Sequence, residues 1–374
     1  MAQIPQTDPH ANYRAHRVEI DAVMRRVLDS GRYILGEEVA AFEREFADSV
    51  GAAHAVGVAS GTDALELALR ACGVGAGDLV FTVAHTAVAT VAAIELTGAT
   101  PVLVDIYPHS YTMDANCLQA ALRDPPPGRP RAVVPVHLYG QPAHMPSICR
   151  LAKEYGLYVV EDCAQAHGAA IDGRSVGAWG QMAAFSFYPT KNLGALGDGG
   201  AVVSGDATLA KKVRALRQYG WRERYISDSP GGNSRLDSLQ AAILRAKLPH
   251  LHSENGRRRL HARRYRKLLA GAEIGLPAAR PDVKHVYHQF VIRTKQRDAL
   301  REHLRNFDVN SAIHYPVPVH RQPAYAGRIS TAGELAHSDA AADEILSLPM
   351  YPELTPAAVD TVAQRIAEWT RLNQ

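Results

Sequence analysis

Phe185-Ser186-Phe187-Tyr188-Pro189-Thr190-Lys191-Asn192-Leu193-Gly194 is followed closely by Gly197-Asp198-Gly199-Gly200-Ala201 and an apolar Val202-Val203 pair. A lysine in a glycine-poised loop, near a hydroxyl able to bind phosphate, is the equipment for a Schiff base with the aldehyde of pyridoxal phosphate. Such a lysine must be partly deprotonated to exchange the cofactor for a substrate amine, and an enclosed site favours that by disfavouring the ammonium. The competing reading is a solvated surface lysine.

Upstream, Leu157-Tyr158-Val159-Val160 reads as a short buried strand ending in Glu161-Asp162-Cys163-Ala164-Gln165-Ala166-His167-Gly168. A carboxylate at the C-terminal end of a parallel strand points into the crevice where open α/β sheets bind ligands. Asp162 therefore suits a protonated pyridine nitrogen, keeping the ring an electron sink; alternatively it caps a helix beginning at Ala164. Glu161 falls on the opposite side of the strand and is expected to be structural.

Ala55-Val56-Gly57-Val58-Ala59-Ser60-Gly61-Thr62-Asp63-Ala64-Leu65 reads as strand, tight turn and amphipathic helix, with Ser60 and Asp63 at capping-box spacing. The free N–H groups of Gly61 and Thr62 would cradle a phosphate, and Gly61 would let it approach closely. Many helices begin this way without a ligand. His85, at the end of the Asp78–Val83 run, could stack on a cofactor ring, or be an ordinary loop histidine among 17.

Short β-branched runs alternate with helical patterns through the first two thirds of the chain, which predicts a mainly parallel sheet with helices on both faces. The strand candidates are 55–58, 79–82, 100–104, 132–136, 157–160, 183–186 and 200–204. Arg123-Asp124-Pro125-Pro126-Pro127-Gly128-Arg129-Pro130 is too proline-rich for a helix or central strand and reads as a surface loop. A long helix from Leu236 to about Ala270, broken near Pro249, leads to a strand at 288–294 and a closing helix at 356–372 capped by Thr355. The expected division is a large cofactor-binding domain, residues 1–245, and a smaller α/β domain, residues 246–374.

With 374 residues, 47% of them hydrophobic and 21% charged, the chain can bury two substantial cores. No apolar run is long enough to span a bilayer, and the polar start lacks the pattern of a signal peptide, so a cytoplasmic protein without a membrane partner is expected. The four cysteines, Cys72, Cys117, Cys149 and Cys163, are far apart, with neither metal-ligand spacing nor a disulfide framework. No metal is expected. A net charge of +3 does not call for nucleic acid. The basic cluster Arg257, Arg258, Arg259, Arg263, Arg264, Arg266 and Lys267 spreads around a helix and reads as a solvated face.

Together, Tyr33-Ile34-Leu35-Gly36, Ser60-Gly61-Thr62-Asp63-Ala64-Leu65, Pro135-Val136-His137-Leu138-Tyr139-Gly140-Gln141, Glu161-Asp162-Cys163-Ala164-Gln165, the Ser186–Lys191 stretch, Gly197-Asp198-Gly199-Gly200 and Asn233-Ser234-Arg235-Leu236-Asp237-Ser238 carry a family resemblance. Across nearly its whole length the chain resembles the pyridoxal phosphate-dependent sugar aminotransferases of the DegT/DnrJ/StrS family, which implies the aspartate aminotransferase-like (type I) fold. By that resemblance Lys191 forms the Schiff base and shuttles a proton, and Asp162 pairs with the pyridine nitrogen. Gln165 lies at the ring face or its phenolic oxygen, His85 covers the opposite face, and Gly61, Thr62 and Ser186 bind the phosphate. Asn233 reaches the phosphate from a neighbouring subunit, implying a homodimer with shared active sites; read without the family, Asn233 is equally a helix cap.

Relatives that remove a sugar hydroxyl carry histidine in place of this lysine, so Lys191 implies amine transfer, with L-glutamate as donor and a nucleotide-linked keto sugar as acceptor. Ala84-His85-Thr86 and Ala164-Gln165-Ala166-His167-Gly168-Ala169 look most similar to members acting on dTDP-linked 3-keto-6-deoxy sugars. The substrate is expected over Tyr188, the Tyr33 loop and the segment with His314, Tyr315 and His320, which also reads as a structural proline-rich loop. The alternatives are a C4 sugar aminotransferase, an amino-cyclitol aminotransferase and a non-catalytic sugar-nucleotide-binding regulator.

Overall fold

The computed structural model describes residues 3–278 and 280–373. Its main body is an eight-stranded sheet. Seven strands come from the first part of the chain: β1 (His54–Val58), β2 (Asp78–Val83), β3 (Thr100–Val104), β4 (Arg129–Val133), β5 (Tyr158–Asp162), β6 (Met182–Ser186) and β7 (Gly200–Ser204). Beyond them lie β8 (Phe290–Arg293), β9 (Ser330–Thr331) and β10 (Ile345–Leu348). The spatial order is β1-β7-β6-β5-β4-β2-β3-β9. Pairing is parallel from β6 through to β9, whereas β7 runs antiparallel to both its neighbours, β1 and β6. All seven expected strands are present, and β2, which carries Leu79, Val80, Phe81 and Val83, is buried at every position, as a sheet covered on both faces requires.

Two local expectations need correction. The strand expected at 132–136 begins earlier and ends earlier, at 129–133. Pro130, read as loop, lies in it opposite Leu79, next to a register irregularity against β2, where the missing N–H of proline is tolerated. The basic helix Leu251–Leu268 is not simply solvated either. Arg258 is buried and donates to the carbonyls of Met350, Tyr287 and His288, so its charge is spent on backbone oxygens.

The break at Pro249 is present: the helix Ser238–Lys247 passes through a 3-10 turn, Leu248–His250, into Leu251–Leu268. That second helix, the closing helix Pro356–Leu372 and the pair β8/β10 enclose a separate apolar cluster around Tyr265, Phe290, Ile292, Leu346 and Ile366. Thr355 caps the closing helix, its hydroxyl accepting from the Ala358 N–H.

The ends of β1, β2, β5 and β6 open on one crevice. Ser60 ends the turn after β1, and its hydroxyl accepts the Asp63 N–H at 3.1 Å, capping the helix Gly61–Ala71. Only half of a reciprocal capping box forms, because Asp63 instead accepts the Ser234 hydroxyl at 2.7 Å. Gly200 makes room for this turn: a Cβ there would lie 2.2 Å from the Ser60 carbonyl oxygen.

Candidate active site

A cavity of about 240 Å³ occupies this crevice, with Ser60, Gly61, Thr62, Thr86, Ala87, Thr90, Asp162, Gln165, Ser186, Tyr188 and Lys191 among the residues on its walls. Asp162 and Lys191, read from separate sequence segments, are thus brought to one space.

Asp162 is not a helix cap. The Ala164 N–H donates to Oδ1 at 3.1 Å, but residues 163–169 form turns, and Oδ2 accepts the Thr90 hydroxyl at 2.9 Å. Thr86 lies 3.0 Å from Thr90, hydroxyl to hydroxyl, so two threonines four residues apart extend the chain from the carboxylate. Thr86 stands in the Ala84-His85-Thr86 motif without a role of its own, and Thr90 in none of the motifs. The available signal was a pair of hydroxyl residues four apart astride the start of the helix Val88–Leu96.

Lys191 is partly buried. Burial pushes its ammonium down from 10.5 to about 8, against the attraction of Asp162. The imidazoles near it remain neutral for the same reason. Burial and then the Lys191 charge hold His314 down at about 4 and His167 at about 3.

The anion-sized end of the cavity is built at Gly61. The first N–H groups of a helix have no intrahelical acceptor, and a Cβ on Gly61 would stand 2.5 Å from the Ser186 Cβ and 3.0 Å from its hydroxyl. Gly61 therefore lets a helix N-terminus and the Ser186 hydroxyl face the same point, a fit to a phosphate group. The residues present match each part of pyridoxal phosphate: donors for the phosphate, an acceptor for a ring N–H, and an amine for the aldehyde.

Glu161, one residue from Asp162, has the structural placement expected of it. Fully buried, it accepts the N–H groups of Gly177, Trp179 and Gly180 at 2.8–2.9 Å and meets His137 at 3.0 Å.

His85 does not reach the cavity, so its expected place over a cofactor face is corrected. Beyond β2 its side chain turns into the core, completely buried, with Nε2 2.7 Å from the Tyr139 hydroxyl; Thr86 and Ala87 line the wall instead. Gln165 lies on the wall, its oxygen accepting the Tyr139 N–H at 2.7 Å and its nitrogen donating to the Tyr315 hydroxyl at 3.1 Å. Tyr315 and His314 border this network, His314 Nδ1 lying 2.9 Å from the Ser347 hydroxyl. His320 is bound elsewhere, 3.0 Å from Asp339, in a short turn anchored by Val319 to the Ala84 carbonyl. Tyr188, 53% exposed, stands at the mouth. Tyr33 and Asn233 are both exposed and lie outside this cavity, and the Tyr33 carbonyl accepts the Ser238 N–H a few residues beyond Asn233.

A family model described as the DegT/DnrJ/EryC1/StrS aminotransferase family matches residues 15–367. The chain is 49% identical over 368 residues to the dTDP-3-amino-3,4,6-trideoxy-alpha-D-glucose transaminase of Streptomyces venezuelae, spanning 98% of this chain and 96% of that one. The crystal structure of S. venezuelae DesV in complex with a ketimine intermediate matches with a TM-score of 0.95 at 49% identity, over 99% of each chain. NtdA from Bacillus subtilis, with bound cofactor PMP, matches with a TM-score of 0.88 at 29% identity, over 96% of this chain and 82% of that one.

Fold and cavity together are those of a pyridoxal phosphate-dependent aminotransferase of the aspartate aminotransferase-like fold. The chain belongs to the DegT/DnrJ/EryC1/StrS aminotransferase family.

Proposed function

We propose that this enzyme transfers the amino group of L-glutamate to the C3 keto carbon of a dTDP-linked 3-keto-6-deoxyhexose. The observation that carries the reading is the convergence of Lys191, Asp162 and the Gly61–Ser186 cradle on one cavity, in a chain 49% identical to a transaminase of a dTDP-3-amino sugar.

Bound there, pyridoxal phosphate supplies an electron sink and carries the amino group between donor and acceptor. Gly61, Thr62 and Ser186 would hold its phosphate by N–H and hydroxyl donors. Asp162 would face the ring nitrogen, its two oxygens oriented by the Thr90 hydroxyl and the Ala164 N–H. Lys191, with its pKa lowered to about 8, keeps part of its amine neutral near neutrality. That Nζ would take the α-proton of the amino donor and deliver a proton to the former keto carbon of the acceptor. Gln165 and Thr86 line the wall that would lie beside the ring, and Tyr188 at the mouth would border the sugar. Tyr315, hydrogen-bonded to Gln165, and the adjoining His314 would bound the substrate side.

Asn233 and Tyr33, exposed on one chain, complete the site of a partner in a homodimer. A cytoplasmic location agrees with four cysteines that are all free thiols. Among the described residues no helix is long and apolar enough to cross a membrane.

The test is the visible absorption of the purified protein with pyridoxal phosphate, followed through addition of L-glutamate and then dTDP-linked 3-keto and 4-keto 6-deoxy sugars. Loss of the absorption with glutamate and its return with the 3-keto sugar alone is expected. Return with the 4-keto sugar alone moves the reaction to C4, and indifference to glutamate removes the donor assignment.

A further inference from the structure

Next to Lys191, the side chain of Asn192 turns away from the cavity into the protein. It is 5% exposed and meets two other buried polar side chains, Asn255 at 2% and His288 at 4%. Its amide nitrogen donates to Asn255 Oδ1 at 2.7 Å and to the Val286 carbonyl at 3.2 Å. Its oxygen lies 3.1 Å from His288 Nδ1. Asn255 in turn donates to the His167 carbonyl at 2.8 Å. On the other side, His288 Nε2 lies 3.4 Å from Gln289 Nε2, and the Gln289 oxygen accepts from Gln6 at 2.6 Å.

Carbonyl oxygens only accept, and two of them anchor this chain at opposite points. The Val286 carbonyl requires the nitrogen of Asn192 on its side, so Asn192 Oδ1 faces His288 and Nδ1 of that ring must carry the hydrogen. The His167 carbonyl requires the nitrogen of Asn255, leaving Asn255 Oδ1 to accept from Asn192. His288 Nε2 is then the acceptor for Gln289. The two carbonyl anchors leave one orientation of each of these asparagine amides and one tautomer of His288, which makes the network a rigid joint rather than a set of interchangeable contacts.

The joint binds four parts of the molecule: the Lys191 loop, the turn after Asp162 through the His167 carbonyl, the helix Leu251–Leu268 and the stretch leading into β8. Gln6 adds the N-terminal arm. Gly168 is packed against it so closely that a Cβ would lie 2.9 Å from Asn255 Nδ2.

We infer that Asn192 is a positioning residue for the reacting lysine: through Asn255 and His288 it fixes the Lys191 loop relative to the Asp162 turn. The inference rests on Lys191 being the reacting amine. A loose loop leaves the amine present but misplaced, and misplacement of about 1 Å costs up to roughly a hundredfold in rate.

The experiment compares Asn192→Ala, His288→Leu and His288→Asn with the parent protein. An asparagine at 288 can place its amide nitrogen where Nδ1 stood and keep the donor to Asn192; leucine cannot. In the cofactor-free proteins, hydrogen exchange by mass spectrometry is read on peptides covering 187–196, where the Lys191 and Ala195 N–H groups are bonded to the Tyr188 and Phe187 carbonyls, and on control peptides covering β2.

Asn192→Ala and His288→Leu are expected to speed exchange in 187–196 by about tenfold or more while β2 keeps its protection. His288→Asn is expected to restore it. With cofactor loaded, kcat of the first two falls about tenfold or more while KM for the amino donor moves less than about threefold, and His288→Asn recovers most of kcat. Unchanged exchange in 187–196, an equal rise in β2, or identical behaviour of His288→Leu and His288→Asn would each overturn the inference. Should Asn192→Ala not fold, the two His288 variants decide alone. Because the exchange is read without cofactor, failure here is separate from failure of the Lys191 assignment, which a Lys191→Ala variant tests.

Discussion

The Cα of Gly61 lies so close to Ser186 that a methyl group on it would stand 2.5 Å from the Ser186 Cβ. This approach brings the helix N-terminus and the serine hydroxyl onto one point, and a side chain at position 61 separates them. Gly61→Ala should weaken binding of pyridoxal phosphate by about tenfold or more, since charge-assisted contacts from both sides are lost. Fluorescence titration of the cofactor-free protein measures this; unchanged affinity would place the phosphate elsewhere.

Thr90 donates to Asp162 at 2.9 Å and touches the cavity wall. Thr90→Val preserves shape and removes the donor, so turnover should fall by about tenfold, the value of one hydrogen bond to a charged group, roughly 1.5 kcal/mol. Asp162→Asn should fall further, because it replaces the carboxylate proposed to face the ring nitrogen. Steady-state kinetics of the pair ranks them, and a Thr90→Val enzyme as impaired as Asp162→Asn would contradict a supporting role.

Glu161 should behave in the opposite way to its neighbour. Replacing it with alanine leaves three N–H groups and His137 without an acceptor in a fully buried place, at a cost of about 3–5 kcal/mol. Chemical denaturation should register that loss. If Glu161→Ala were as stable as the parent but inactive, the two carboxylates would have been assigned the wrong way round.

Acid should unfold the protein by way of its histidines. Burial holds His85 and His314 at about 4 and His167 and His285 at about 3, below the ordinary 6.5. The unfolded chain therefore binds protons that the folded one refuses, and stability is lost as pH falls from 6.5 toward 4. His285 stacks on Tyr287 with ring centroids 3.9 Å apart. In His285→Gln the decline in melting temperature over that range should be shallower; an equal slope would mean that this ring does not contribute.

If Asn233 serves a partner's site, mixing inactive Lys191→Ala and Asn233→Ala chains should restore activity in those mixed dimers whose one site keeps both residues. At equal mixing with free exchange about half of the dimers are mixed. No recovery, with exchange shown by mass spectrometry, would confine Asn233 to its own chain.

The strands, the interruption at Pro249, the Thr355 cap and the pairing of a lysine loop with a strand-end carboxylate were legible in the sequence. Each is a local matter: alternation of apolar residues, a missing proline N–H, or a side chain reaching its own helix start. The same local rules placed Glu161 and Asp162 on opposite sides of one strand, and the structure agrees. They did not reach Arg258, whose burial depends on carbonyls about ninety residues away at Met350.

By itself, the sequence determined which groups this chain carries and in what order they arrive: a helix-starting turn at Gly61, a strand-end carboxylate at Asp162 and a loop amine at Lys191. Tertiary structure alone decided which neighbours face the cavity. His85 leaves the wall for Tyr139, Thr90 takes hold of Asp162, and Asn192 meets His288 across 96 residues of chain. The physical reason is that beyond a strand or a helix cap no backbone repeat dictates the direction of a side chain. It follows the hydrogen-bond partners that distant segments bring alongside.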